Sequence, residues 1–238
     1  MELRICHLYP ELLNMYGDVG NVKILRYRAE KRDISVEVCN LSNGEPFEGE
    51  KYDIVVLGGG QDFEMDIVSS DLSGEKKEAL RAYIENGGVL LAIGSGYQLL
   101  GSSYYTSSGE KRDGLGFFSF ITEKSDERLV GNIAVEIEGI TAVGFENHGG
   151  KTYIGDMMPM GRVLSGYGNN GEDKTEGFRY KNTFGTFLHG PMLSKSPEFA
   201  DKLLEIALGN RYGAQSLTPL SDEFEHKARE NMLSKMSL

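Results

Sequence analysis

Short apolar runs alternate with helical periodicity over the first hundred residues. Leu3 to Leu8, Tyr52 to Leu57 and Val89 to Ile93 are runs of strand length, the last entered from Gly87-Gly88. Runs of this kind suit strands covered on both faces. Ile34, Val36 and Val38 alternate as a further strand. Val22, Leu25 and Ala29 recur at helical spacing up to about Lys31, which assigns Lys23, Arg26, Arg28 and Arg32 to the water side. Ser73 to Asn86 reads as a second helix with Leu80, Tyr83 and Ile84 inward, stopped by Asn86-Gly87-Gly88. The order strand, helix, strand, strand, helix, strand predicts an α/β fold: a mostly parallel sheet flanked by helices.

The pattern changes after Gly101. Ser102 to Arg112 is polar and reads as a loop, and Gly114 to Phe120 reads as entry into a strand. Gly131 to Ile137 and Ile140 to Phe145 are expected strands, and Gly166 to Lys174 an expected loop. Gly177 to Lys181 and Phe184 to Leu188 read as paired strands closing on His189-Gly190-Pro191. Pro197 to Asn210 is an amphipathic helix with Phe199, Leu203, Leu204 and Ala207 inward. The stretch after Tyr212 is polar, with a short helix expected from Ser221. One domain over 1–212 with a tail over 213–238 is therefore expected, and added antiparallel strands in its second half.

Composition narrows the function classes. The 238 residues carry a net charge of −11, which argues against nucleic-acid or anionic-membrane binding. No apolar run approaches the ~20 residues of a membrane span. Met1-Glu2-Leu3-Arg4 lacks a signal-peptide pattern, so a cytoplasmic location is expected. Cys6 and Cys39, both in apolar segments, read as reduced thiols. The four histidines lack metal-ligand spacing, so neither a metal nor another cofactor is expected.

Candidate chemistry gathers where strands end in glycine. Gly58-Gly59-Gly60 follows one strand, and a glycine run there permits close backbone approach to a ligand. Val89 to Ile93 is broken by Gly94-Ser95-Gly96, and Tyr97-Gln98-Leu99-Leu100 begins a helix. Strand, tight turn, helix is the geometry of a nucleophile elbow. A third glycine-rich turn, Tyr16-Gly17-Asp18-Val19-Gly20-Asn21, lacks the Gly-Lys-Ser/Thr ending of a phosphate loop. Ligands on parallel sheets sit beyond the carboxyl ends of the strands, where the glycine run and the elbow both fall.

The string Ala92-Ile93-Gly94-Ser95-Gly96-Tyr97-Gln98-Leu99-Leu100-Gly101 resembles the elbow of class I glutamine amidotransferases of the cobyric acid synthase type. Within them it is most similar to the glutaminase subunits of lipid II isoglutaminyl synthases, whose elbow reads Ala-Ile-Cys-Gly-Gly-(Tyr/Phe)-Gln-Leu-Leu-Gly. Tyr-Gly-Asp-x-Gly-Asn at Tyr16 to Asn21 and Phe-Leu-His-Gly-Pro at Phe187 to Pro191 extend the resemblance from about Ile5 to Tyr212. It implies a flavodoxin-like amidotransferase fold. It also implies a Cys–His pair in which His189 takes the thiol proton and the thiolate attacks the glutamine side-chain amide.

Other roles follow from the same resemblance. The loop around Gly59 and Gly60 supplies an oxyanion donor, and Arg128 holds the substrate carboxylate through its planar guanidinium. Ser95 and Gln98 belong to the substrate side, and His148 shapes the pocket rim. No acidic residue stands two positions after His189, so an orienting carboxylate has to come from elsewhere, the partner subunit included. The implied partner is an ATP-dependent Mur-ligase-like subunit that uses the ammonia to amidate the D-glutamate of the lipid II stem peptide.

Gly94 stands where the family has its cysteine. Three readings follow: a glutaminase that has lost its nucleophile, a serine hydrolase using Ser95, or a non-catalytic scaffold subunit of the same complex. Successive helix residues point ~100° apart, so Ser95 is expected to miss His189 and to satisfy free N–H groups at the helix start.

Overall fold

A computed structural model describes residues 1–213 and 216–238. Its first half follows the apolar pattern closely. Strand β1 (Glu2–Leu8) leads through helix α1 (Val19–Glu30) to β2 (Ser35–Leu41) and β3 (Ile54–Leu57). Helices α2 (Asp62–Asp71) and α3 (Gly74–Glu85) precede β4 (Val89–Ile93), and the short α4 (Ser95–Leu99) follows the elbow. Helix α2 is an addition to the expected order. Only Met65 and Val68 of it are buried, so its apolar stripe is too thin to read, although Gln61 and Glu64 form a capping box at its start.

The second half departs further from expectation. The polar stretch after Gly101 is a small hairpin, β5 (Ser103–Tyr105) and β6 (Lys111–Asp113), rather than a loop. Gly114 to Phe120 is irregular, and the strand begins only at Ile121. Two long strands then pair antiparallel, β7 (Ile121–Ile137) and β8 (Ile140–Tyr153). The remaining elements are β9 (Gly161–Ser165), β10 (Thr175–Glu176), β11 (Phe178–Tyr180), β12 (Thr183–Thr186), α5 (Pro197–Tyr212) and α6 (Glu223–Lys235).

The first sheet has the order β11-β12-β4-β3-β1-β2 and is parallel except for β11. All four residues of β3 and all five of β4 are buried, as strands covered by helices on both faces must be. The second sheet, order β10-β9-β7-β5-β6 with β8 on β7, is antiparallel apart from one β5–β7 pairing. The two sheets meet through backbone hydrogen bonds between Phe145 of β8 and His189: Phe145 N–H to His189 O at 3.1 Å, and His189 N–H to Phe145 O at 2.8 Å.

Arg28 does not face water. Its side chain is 2% exposed, and its guanidinium donates to both carboxylate oxygens of Asp201 on α5 and of Asp222 before α6. Arg32 is nearly as buried and also grips Asp201. The helical pattern assigned both to the polar face because nothing in α1 itself announces that α5 and the tail cover it. His226, in the tail, lies 2.9 Å from Glu198, which Arg229 also engages.

Candidate functional site

Strands β3, β4 and β12 lie side by side, so their carboxyl ends bring three separate segments to one edge. They line a cavity of about 590 Å³ with Gly59, Gly60, Gly94, Ser95, Gln98, Arg128, His148 and His189 in its wall. Every residue singled out from the sequence for this site is therefore at one cavity. Among the described residues, no group of three or more His, Cys, Asp or Glu side chains is placed to hold a metal ion.

The apex of the elbow is Gly94, with φ 58° and ψ −123°. An L side chain there is strained by about 1–3 kcal/mol, which glycine avoids. Its N–H donates to Thr186 O of β12 at 2.8 Å, locking elbow to strand. A Cβ built on Gly94 would lie 2.7 Å from Cε1 and 3.1 Å from Nε2 of His189. The apex thus points at the imidazole edge, and the ring lies closer to it than a side chain would allow.

His189 is 3% exposed and held from several sides. Its backbone is pinned by Phe145, and Tyr16 lies against the ring at 4.3 Å between centroids. The bend that delivers it from β12 is fixed by a buried carboxylate. Glu176 Oε1 accepts from the Thr186 hydroxyl and the Phe187 N–H, both at 2.7 Å, and Leu188 N–H donates to Thr186 Oγ1 at 3.0 Å.

A register shift in the β7–β8 pairing between Lys124 and Leu129 sets Ser125 to Arg128 opposite Gly149. Such a bulge re-aims side chains, and here it brings Ser125, Asp126 and Arg128 to the cavity wall. Arg128 Nε donates to Asn147 Oδ1 at 2.5 Å. His148 stacks on Phe187 at 3.8 Å, its Nδ1 2.7 Å from Gly150 O, so its ring is part of the wall.

Ser95 departs from expectation. Among the described residues its hydroxyl bonds to the glycine loop rather than to an N–H of α4. Its hydroxyl accepts the Gly60 N–H at 2.8 Å and donates to Gly60 O at 2.9 Å, bridging elbow to glycine loop.

The profile of the CobB/CobQ-like glutamine amidotransferase domain matches residues 4–197. A relative from Streptococcus pneumoniae, "Lipid II isoglutaminyl synthase (glutamine-hydrolyzing) subunit GatD", is 43% identical, covering 93% of this chain and 86% of its own. The subunit of the same name from Staphylococcus aureus is 42% identical over 98% of this chain and 96% of its own. The chain belongs to the GatD group of CobB/CobQ-like glutamine amidotransferases. Among solved structures, PurLQS from Thermotoga maritima matches with a TM-score of 0.53 at 17% identity, over 88% of this chain and 99% of that one. A glutamine amidotransferase from the same organism matches at 0.51 and 14%, over 98% and 94%. Both agree with this chain in fold.

Two acidic residues that support this cavity were not singled out from the sequence. Asp18 is fully buried, and Oδ2 accepts the Gly59 N–H at 2.8 Å. Among the described residues its Oδ1 has no hydrogen-bond partner, and it lies 3.8 Å from His189 Nδ1, which has none among them either. Asp18 stands at the N-cap of α1 without capping it: Gly20 N–H donates to Gly17 O and Asn21 N–H to Asp18 O, while Asn14 Oδ1 takes the Val19 N–H. Its carboxylate faces the glycine loop and the histidine instead. The Tyr-Gly-Asp turn was a visible signal, but the contact spans the chain from position 18 to 189.

Glu176 is the second. Burial pushes its carboxyl up to about 7, partly offset by the hydrogen bonds from Thr186 and Phe187, while Glu146 nearby raises it further. The folded protein therefore holds a proton that the unfolded chain releases near 4.5, so this group lowers stability as pH rises from about 5 to 7. Two to three pH units correspond to a cost of about 3 kcal/mol above pH 7. Glu176→Gln is expected to remove that slope. Urea midpoints across pH 5–8 check it: parallel curves for the two proteins would show that Glu176 does not titrate there.

Proposed function

We propose that this chain is the glutamine-binding subunit of a lipid II-amidating complex, and that as it stands it does not hydrolyse glutamine. It pairs in this reading with an ATP-dependent Mur-ligase-like subunit acting on the D-glutamate of the stem peptide. The relatives named above support the pathway. The observation that carries the second half is the elbow apex, aimed at His189 and carrying no side chain.

The residues divide the work as follows. Arg128 takes the α-carboxylate of glutamine, and the elbow and glycine loop receive the side-chain amide. Asp18 orients the His189 ring through Nδ1, leaving Nε2 toward the apex. With a thiol at position 94, Nε2 would accept its proton, the thiolate would add to the amide carbon, and the imidazolium would pass that proton to the leaving nitrogen as ammonia departs. Water would then release glutamate. With glycine there, no atom is available to form that bond.

Ser95 does not replace it. Its single proton is given to Gly60 O, so no proton path runs to His189, and the serine-hydrolase reading loses its geometry. The scaffold reading shares every contact of the proposal except the bound glutamine.

Calorimetry separates the two. Glutamine is expected to bind, and Arg128→Ala to weaken it by about 1.5–3 kcal/mol, the range for hydrogen bonds to a charged group. No glutamine heat, with the ligase-like partner still bound tightly, leaves the scaffold. In the complex, ammonium salts are expected to support amidation where glutamine does not.

A further inference from the structure

Three consecutive N–H groups of the glycine loop are each engaged by a side chain. Asp18 takes Gly59, Ser95 takes Gly60 and Glu64 takes Gln61. Of these three side chains, Asp18 holds the loop from behind the histidine and Glu64 belongs to the capping box of α2. Ser95 differs, because it stands on the elbow beside the apex. A Cβ built on Gly59 would lie 3.5 Å from both the Ser95 amide nitrogen and its hydroxyl, so loop and elbow are in contact at this point. Both the Gly60 and Ser95 residues also line the cavity.

We infer that the Ser95 hydroxyl is a built-in occupant of the Gly60 N–H, so that the site takes a neutral carboxamide and discriminates against an anionic, tetrahedral group at the same place. A backbone N–H is one donor, and it is worth most to an oxygen that carries charge. The Ser95 oxygen already accepts that donor, and its proton is tied to Gly60 O, so neither half of the pair is available to an incoming oxyanion. A planar amide loses little by this, since a neutral acceptor gains only modestly from one hydrogen bond. A tetrahedral anion loses the contact on which such stabilisation depends. Glycine at 94 and serine at 95 then act in the same direction: one removes the attacking atom, and the other takes a donor from the species that attack would create.

The inference rests on the reading that the cavity takes glutamine, and the test separates the two. L-Glutamine and the tetrahedral, anionic L-2-amino-4-phosphonobutanoate are titrated into the unmodified protein, Ser95→Ala and Ser95→Gly. Removing the hydroxyl is expected to tighten the phosphonate about tenfold or more relative to glutamine, as a charged hydrogen bond regained. An unchanged ratio in both variants overturns the inference while leaving glutamine binding intact. Exchange of the Gly60 amide, followed by NMR, reads the same hydrogen bond without a ligand. It should be protected in the unmodified protein and at least tenfold faster in Ser95→Ala. Equal exchange overturns the inference whatever binds. If neither ligand binds any of the three proteins, the glutamine reading falls, and the Gly60 amide alone decides the placement of the hydroxyl.

Discussion

Glutamine hydrolysis is expected to rise by at least about 10³-fold when Gly94→Cys and Ser95→Gly are combined and the protein is assayed with the ligase-like partner proposed above. Loss of a triad nucleophile elsewhere costs about 10⁶ in kcat, which sets the scale of what can be regained. The elbow already has the needed backbone, and His189, Asp18 and the glycine loop are in place around it. Two obstacles keep the expectation below the full range. The His189 ring sits 2.7 Å from where the new Cβ would go, so it must withdraw by several tenths of an ångström. The cysteine must also occupy a left-handed conformation, at a cost of about 1–3 kcal/mol in stability. The double variant should therefore melt lower while working faster. Gly94→Cys alone should recover less, because Ser95 still holds the Gly60 N–H. A folded double variant that binds its partner and remains at background would remove the amidotransferase chemistry from this site.

The largest expected loss of stability lies far from the cavity. Arg28→Met should cost about 3 kcal/mol, the lower end for removing one member of a buried ion pair, because Arg32 continues to hold Asp201. The remaining cost is Asp222, left 14% exposed without its cation. Adding Asp222→Asn should recover part of the loss. Denaturant midpoints with an unchanged slope are the measurement. A change below about 1 kcal/mol would mean that the network is solvated in solution.

Legibility in the sequence followed the physical range of each signal. Val89 to Ile93 was readable because a strand buried on both faces must be apolar at every position. The elbow was readable because a sharp turn after such a strand needs glycine. The hairpin of Ser103–Tyr105 and Lys111–Asp113 was not, since its polar residues follow no alternation and its pairing is decided by neighbours in the second sheet. Arg28 looked like surface because periodicity describes one helix, and its burial is conferred by α5 and the segment before α6. Asp18 stood in the sequence only as one member of the glycine-rich turn from Tyr16 to Asn21. Its carboxylate reaches Gly59 and faces His189 from the far end of the chain, a placement visible only in three dimensions.

The neighbouring positions of β4 and β12 also set a timetable. Their registered pairs, from Thr183 with Leu90 to Thr186 with Ile93, join segments more than ninety residues apart in the chain. At the usual ribosomal pace of 5–20 residues per second, β4 waits roughly 5–20 s for its partner to be made. During that interval a five-residue, wholly apolar strand is a sheet edge with unpaired N–H and C=O groups. Nascent chains stalled before Thr183 should therefore recruit hold-type chaperones, and those stalled beyond Tyr212 should not.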